Sequence, residues 1–105
     1  MENQEAIMSA HLSGEDVEVF RKIKQKEMEM PEDLAIDYLG RNVYFTESAR
    51  KIIGVCSIYR KHCIVVIKEK VDKPRGIAVY PEKGVLFYTD WGEYSLYLWA
   101  RYDIK

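Results

Sequence analysis

The chain has 105 residues, 48% hydrophobic and 31% charged, with a formal net charge of −1. Its 16 basic and 17 acidic residues are mixed along the sequence, leaving no net polycationic field for nucleic acid or an anionic membrane. No apolar run reaches the roughly 18–20 residues of a bilayer span, and the first residues lack the basic-then-apolar order of a signal peptide.

In chain order, residues 5–20 read as two strands. Ile7, Ala10 and Leu12 mark the first, and Val17-Glu18-Val19-Phe20 alternates as the second. Val17, Phe20, Ile23 and Met28 also have a loose helical spacing, but strand is the preferred reading. The basic run from Arg21 to Lys26, followed by Glu27 and Glu29, reads as a solvated connector. Four short β-branched or aromatic segments come next: Leu34 to Asp37, Asn42 to Glu47, Lys51 to Ile58 and Cys63 to Lys68. Pro74 suits the connector entering the next unit, because proline cannot donate to a ladder. Strands then follow at Gly76 to Tyr80, Val85 to Asp90 and Leu96 to Arg101.

The pattern repeats. Pro31 returns as Pro74 (74 − 31 = 43), Leu34-Ala35-Ile36 as Ile77-Ala78-Val79, and Tyr44-Phe45-Thr46-Glu47 as Phe87-Tyr88-Thr89-Asp90. A period in the forties signals one supersecondary unit used repeatedly. Third-strand positions Ile53, Cys56 and Ile58 match Ile7, Ala10 and Leu12, and also Tyr97, Ala100 and Tyr102. The expected organisation is all-β. One complete four-stranded unit spans 31–68, the end of another precedes it at 5–20, and the start of a third follows at 74–103.

Cys56 and Cys63 are too few to staple a small secreted scaffold, and their spacing (63 − 56 = 7) fits no zinc pattern. No metal or other cofactor is expected. If Tyr59 to His62 form the hairpin loop, Cys56 faces Val65 and the cysteines are diagonal neighbours. Diagonal Cα separations of roughly 7–8 Å lie just beyond comfortable disulfide reach, so a bridge needs local adjustment. No Gly-rich phosphate loop, paired nucleophile and base, or carboxylate pair supports catalysis.

The repeated tetrapeptide, together with Pro74-Arg75-Gly76-Ile77-Ala78-Val79, Thr89-Asp90-Trp91-Gly92 and the third-strand pattern ending Leu12-Ser13-Gly14, resembles the YWTD repeat of the low-density lipoprotein receptor family. The resemblance covers roughly residues 5 to 103. The Leu39-to-Tyr44 stretch and the two cysteines look most like arthropod vitellogenin receptors. Departures include Phe45 in place of Trp, Glu47 in place of Asp, and Tyr80 where the other repeat has Asp37.

The resemblance implies a partial six-bladed β-propeller, since small twisted sheets bury their faces by stacking around an axis. About two blades are expected here, as a fragment of a longer domain. It also implies a non-enzymatic, extracellular receptor segment that meets a protein ligand of the lipoprotein or yolk-protein class and its neighbouring blades. It carries no membrane contact of its own. A Wnt co-receptor propeller and a small protein self-assembling as a trimeric propeller are the alternatives.

Tyr44, Phe45, Phe87, Tyr88 and Trp91 are expected to pack between blades rather than form a carbohydrate or lipid platform. Thr46, Glu47, Thr89 and Asp90 are expected to bond across strands and turns. His11 and His62 fall at solvated positions, although acid-triggered release in the family makes a pH-sensing role conceivable. Arg50, Arg75, Trp91 and Tyr94, on the loops after second and fourth strands, are the candidate binding residues, being types enriched in hot spots.

Overall fold

The computed structural model describes residues 6–22, 31–60, 62–92 and 99–103. They form three antiparallel sheets in chain order. The first is a hairpin of β1 (Ala6–Ser9) and β2 (Glu18–Lys22). The second has four strands in sequential order: β3 (Asp33–Asp37), β4 (Asn42–Glu47), β5 (Ile52–Ser57) and β6 (Cys63–Ile67). The third joins β7 (Pro74–Tyr80), β8 (Val85–Asp90) and β9 (Trp99–Asp103). The only helical turn among the described residues is a 3-10 turn at Pro81–Lys83, closed by Gly84 in the left-handed region.

Strand alternation explains why the four-stranded sheet sits in the middle of the stack. Successive residues of β4 point to opposite faces, and both faces are apolar. Val43 and Phe45 pack with Cys56 against Ile7 and Phe20 of the first hairpin. Tyr44 points the other way, into a cluster with Ile53, Ile67, Val71, Ile77, Leu86 and Tyr88 that joins the second sheet to the third. Phe45, Ile53 and Leu86 are almost completely buried, each worth about 1.5–3 kcal/mol by removal of apolar surface from water. Gly54 makes room for Phe45, since a Cβ there would lie 2.3 Å from the ring. A mid-chain four-stranded unit with part-units on both sides is a sector of a propeller.

The cysteine register differs from the sequence expectation. Cys56 stands directly opposite Cys63, not Val65, and the two are bridged with Cα atoms 4.0 Å apart. The reason lies in the turn. Ser57 Oγ accepts from Arg60 N–H and Ser57 N–H donates to His62 C=O, so the chain leaves the ladder at Ser57, before Ile58. The third strand of the last unit also sits in a later register. Tyr102 stands opposite Leu86 as Cys56 stands opposite Val43, so Tyr102 rather than Ala100 is the counterpart of Cys56. Residues 96–98 of the expected strand lie outside the described residues. Ala10, the expected counterpart of Cys56 in the first hairpin, is exposed.

Candidate functional site: a loop cluster at one end of the sheets

Three loops meet where β4, β8 and the entry to β7 end. The β4–β5 turn begins at Ser48, whose hydroxyl donates to Pro74 C=O at 2.8 Å. Thr46 Oγ1 donates to Arg75 C=O, also at 2.8 Å. Trp91 N–H reaches Lys73 C=O at 3.0 Å. Asp33 Oδ2, on the neighbouring sheet, accepts from Ile77 N–H at 3.0 Å. Short polar side chains thus tie two sheets together through backbone groups that those strands would otherwise leave unmade.

Asp90 is the organising residue. It is 3% exposed, and its carboxylate accepts from the N–H groups of Asp72 (2.9 Å), Lys73 (2.9 Å) and Gly92 (2.8 Å). A carboxylate taking three backbone donors is a charge-assisted anchor that fixes two loops at once. Thr89 Oγ1 adds an acceptor for Gly76 N–H at 2.9 Å. Gly92 must lack a side chain, because a Cβ would fall 2.2 Å from Asp72 Oδ2. Burial first, and then the charge of Asp90, raises the Tyr88 phenol above its ordinary range. Tyr44 is raised in the same way, by burial and then by Asp37.

On this scaffold Arg75 lies over the Trp91 ring, its guanidinium carbon 5.0 Å from the centroid. Its Nη1 is 3.6 Å from Glu32 Oε1. Trp91 is 68% exposed and takes no part in the cluster joining the second and third sheets. It follows the end of β8, and Arg75 covers one face of its ring. Such pairs contribute about 0.5–1 kcal/mol at exposed sites and hold both side chains in one geometry. Lys51 Nζ and Asp72 Oδ1, at 3.3 Å, add a second ion pair across the same loops.

The other candidates part company here. Arg50 lies beside the buried Glu47, with Nη1 3.6 Å from Oε1. It lines a shallow depression of about 310 Å³ with Phe45, Ile52, Cys63, Ile64 and Val65 rather than joining Arg75 and Trp91. Tyr94 lies outside the described residues. His11 is exposed in the β1–β2 turn, 3.6 Å from Asp16, and His62 is exposed beside β6.

Sequence reasoning gave Glu32 and Lys51 no role and took Asp72 only as part of the loop that carries Arg75. A signal for the first was available: Glu32 and Arg75 are one period apart (75 − 32 = 43) and carry opposite charges. Positions equivalent in successive units lie on neighbouring sheets, so a charge reversal between them is a candidate ion pair.

At the opposite end of the sheets, Tyr38 O–H donates to the Glu82 carboxylate, bridging the β3–β4 turn and the 3-10 turn. Arg41 Nη1 donates to Tyr59 Oη at 2.6 Å and stacks on its ring. The described residues contain no group of three or more His, Cys, Asp or Glu placed to hold a metal ion, and no helix long and apolar enough to cross a membrane.

Comparison with known proteins gives concordant matches. The vitellogenin receptor Yl of Drosophila melanogaster is 39% identical over 89 residues, covering 85% of this chain and 4% of that protein. The low-density lipoprotein receptor-related protein 5-like protein of Homo sapiens is 31% identical over 88 residues, covering 84% of this chain and 34% of that protein. A chain in the crystal structure of a nidogen/laminin complex superposes with a TM-score of 0.70 at 31% identity, covering 82% of this chain and 32% of that one. No protein-family model matches the chain. The chain therefore spans a minor part of the length of these relatives.

Proposed function

The chain belongs to the low-density lipoprotein receptor family, as a sector of its YWTD propeller, and from that premise we propose that it is a protein-binding segment of an endocytic receptor of vitellogenin or lipoprotein type. It is not an enzyme: the related proteins are receptors and a propeller from a laminin complex. In this reading the segment is extracellular in its parent receptor. Residues 5–20, 31–68 and 74–103 are parts of three consecutive blades, and a ligand of the lipoprotein or yolk-protein class meets the loops carrying Arg75 and Trp91. Arg50 and Tyr94 are proposed as further contact residues for that ligand.

The observation that carries the reading is the stacked Arg75–Trp91 pair, exposed yet held by Asp90 and Thr46 from below. Pre-ordered aromatic and arginine side chains lose little freedom on binding, which is why they dominate interface energetics. The test is surface-plasmon binding of the immobilised chain to vitellogenin and to low-density lipoprotein. Arg75→Ala and Trp91→Ala should each weaken capture about tenfold or more, near the 1.4 kcal/mol expected of a hot-spot residue. Equal capture by all three proteins would overturn the assignment.

A Wnt co-receptor type of propeller is the second reading. It is favoured by the 31% identical human protein and by the low-density lipoprotein receptor-related protein 5 of Mus musculus, 36% identical over 63 residues. Capture of a Wnt-pathway ligand with no affinity for either lipoprotein would select it.

A further inference from the structure

β6 is the edge of the four-stranded sheet among the described residues, and Cys63-Ile64-Val65-Val66-Ile67 contains neither charge nor proline. Native edges are commonly blunted by one or the other. The ladder shows which groups the edge presents. Ser57 and His62 are hydrogen-bonded partners, and antiparallel pairs alternate between hydrogen-bonded and non-hydrogen-bonded types. Cys56–Cys63 and Gly54–Val65 are therefore non-hydrogen-bonded pairs, with Val55–Ile64 bonded between them. The N–H and C=O groups of Cys63 and Val65 consequently point away from β5, outward along the edge.

Among the described residues no strand pairs with the outer side of β6. The register irregularity of the β5–β6 pair falls between Ile53 and Gly54, past the 63–65 stretch. The disulfide pins Cys63 to Cys56, whose side chain is fully buried. The first hairpin covers Phe45 and Cys56 on one face, yet Val65 remains 40% exposed, and Ile64 on the other face is 56% exposed. Exposed Arg60 and His62 precede the strand, and exposed Lys68 and Lys70 follow it, against the single acid Glu69. A second copy of β6 laid antiparallel would bring these basic ends together. A strand with acidic ends would meet them favourably.

We propose that the β6 edge is a strand-addition site for an extended protein segment with a β-branched centre and acidic residues at both ends. Main-chain bonds to Cys63 and Val65 would supply the affinity, apolar contact with Ile64 and Val65 the fit, and the basic flanks the choice of partner. The site is independent of the Arg75–Trp91 loops and stands whether or not those loops bind a receptor ligand.

The test uses the full chain and a labelled peptide with a Val-Thr-Val centre and two acidic residues at each end. Fluorescence anisotropy should show binding that weakens with salt. A peptide with lysine ends should bind at least about tenfold more weakly, a difference of 1.4 kcal/mol. Val65→Pro removes an outward N–H without breaking the ladder to β5 and should abolish binding. Val65→Lys, a gentler change, should weaken it about tenfold on the same scale. Hydrogen exchange should show the Cys63 and Val65 amides newly protected by the acidic peptide, a readout that does not depend on either variant folding. Equal binding of the two peptides, unchanged exchange at Cys63 and Val65, or peptide-independent self-association lost in Val65→Lys would each overturn the proposal.

Discussion

Leu34 and Ile77 hold the same place in the two repeats (77 − 34 = 43), yet Leu34 is 41% exposed and Ile77 is 6% exposed. Ile36 and Val79 differ in the same sense: Ile36 is exposed, while Val79 packs against the cluster joining the second and third sheets. On the second strand the contrast reverses. Tyr44 is buried under the third sheet, whereas its counterpart Phe87 is only half-buried. Burial in this stack is set by which neighbour faces a position, not by how apolar its residue is. The ends of the second strands teach a related lesson. Asp90 reaches three backbone donors, while the longer Glu47 lies beside Arg50.

The largest expected effect breaks that last contrast. Asp90→Ala leaves three part-buried N–H groups without their acceptor, at about 1 kcal/mol each, and should lower stability by about 3 kcal/mol in urea unfolding. Asp90→Glu installs the residue of the other repeat and keeps the charge, so it should cost clearly less. An equal cost for both would mean that carboxylate position, rather than its presence, is what the loops require.

Next in size is the staple that the four-stranded sheet has at the place where the three-stranded sheet has Tyr102. Replacing both Cys56 and Cys63 by Ala should destabilise by about 2 kcal/mol, the range for a short closed loop. Proteolysis of the 58–62 turn should accelerate with it.

A smaller effect compares the turns. Arg41 (φ 61°) and Gly84 (φ 66°) occupy equivalent left-handed positions (84 − 41 = 43). Only glycine adopts that region without steric cost. Gly84→Ala should therefore cost about 1 kcal/mol, and Arg41→Gly should gain up to about 1 kcal/mol less whatever its stacking on Tyr59 contributes. A loss on Arg41→Gly in thermal unfolding would show that the stacking outweighs the strain.

The smallest is the Tyr38–Glu82 link, where both groups are exposed. The hydrogen bond raises the Tyr38 phenol and lowers the Glu82 carboxyl from their ordinary values. The Glu82 contribution is present above the carboxyl's unfolded value and fades as pH falls through its depressed one. The Tyr38 contribution is complete below the ordinary phenol value of 10.0 and fades as pH rises through its raised one. The stability difference between the wild type and Tyr38→Phe, followed by denaturant unfolding against pH, should therefore form a plateau that closes at both ends. A difference constant with pH would remove the link.

Much of the fold was legible because strand, turn and period each leave a local mark. The β-branched runs, the Ser13-Gly14 turn and the 43-residue return can all be read without knowing what touches what. The cysteine register was not so legible. It depended on Ser57 starting its turn through a hydroxyl contact, and a displacement of two residues leaves the apolar pattern unchanged. At the candidate site, Arg75 and Trp91 were recognisable by type, but Arg50 was separated from them by its pairing with Glu47. Trp91, chemically suited to a core, is instead exposed just past the end of β8.

By itself the sequence determined a repeated antiparallel unit, its approximate strands and the family it resembles, since alternation and spacing are encoded residue by residue. Only the tertiary structure decided which of two equivalent residues is buried, which cysteines face each other and which arginine stacks on tryptophan. Those outcomes depend on contacts between sheets, whose geometry is set by stacking and loop length rather than by any local stretch of chain.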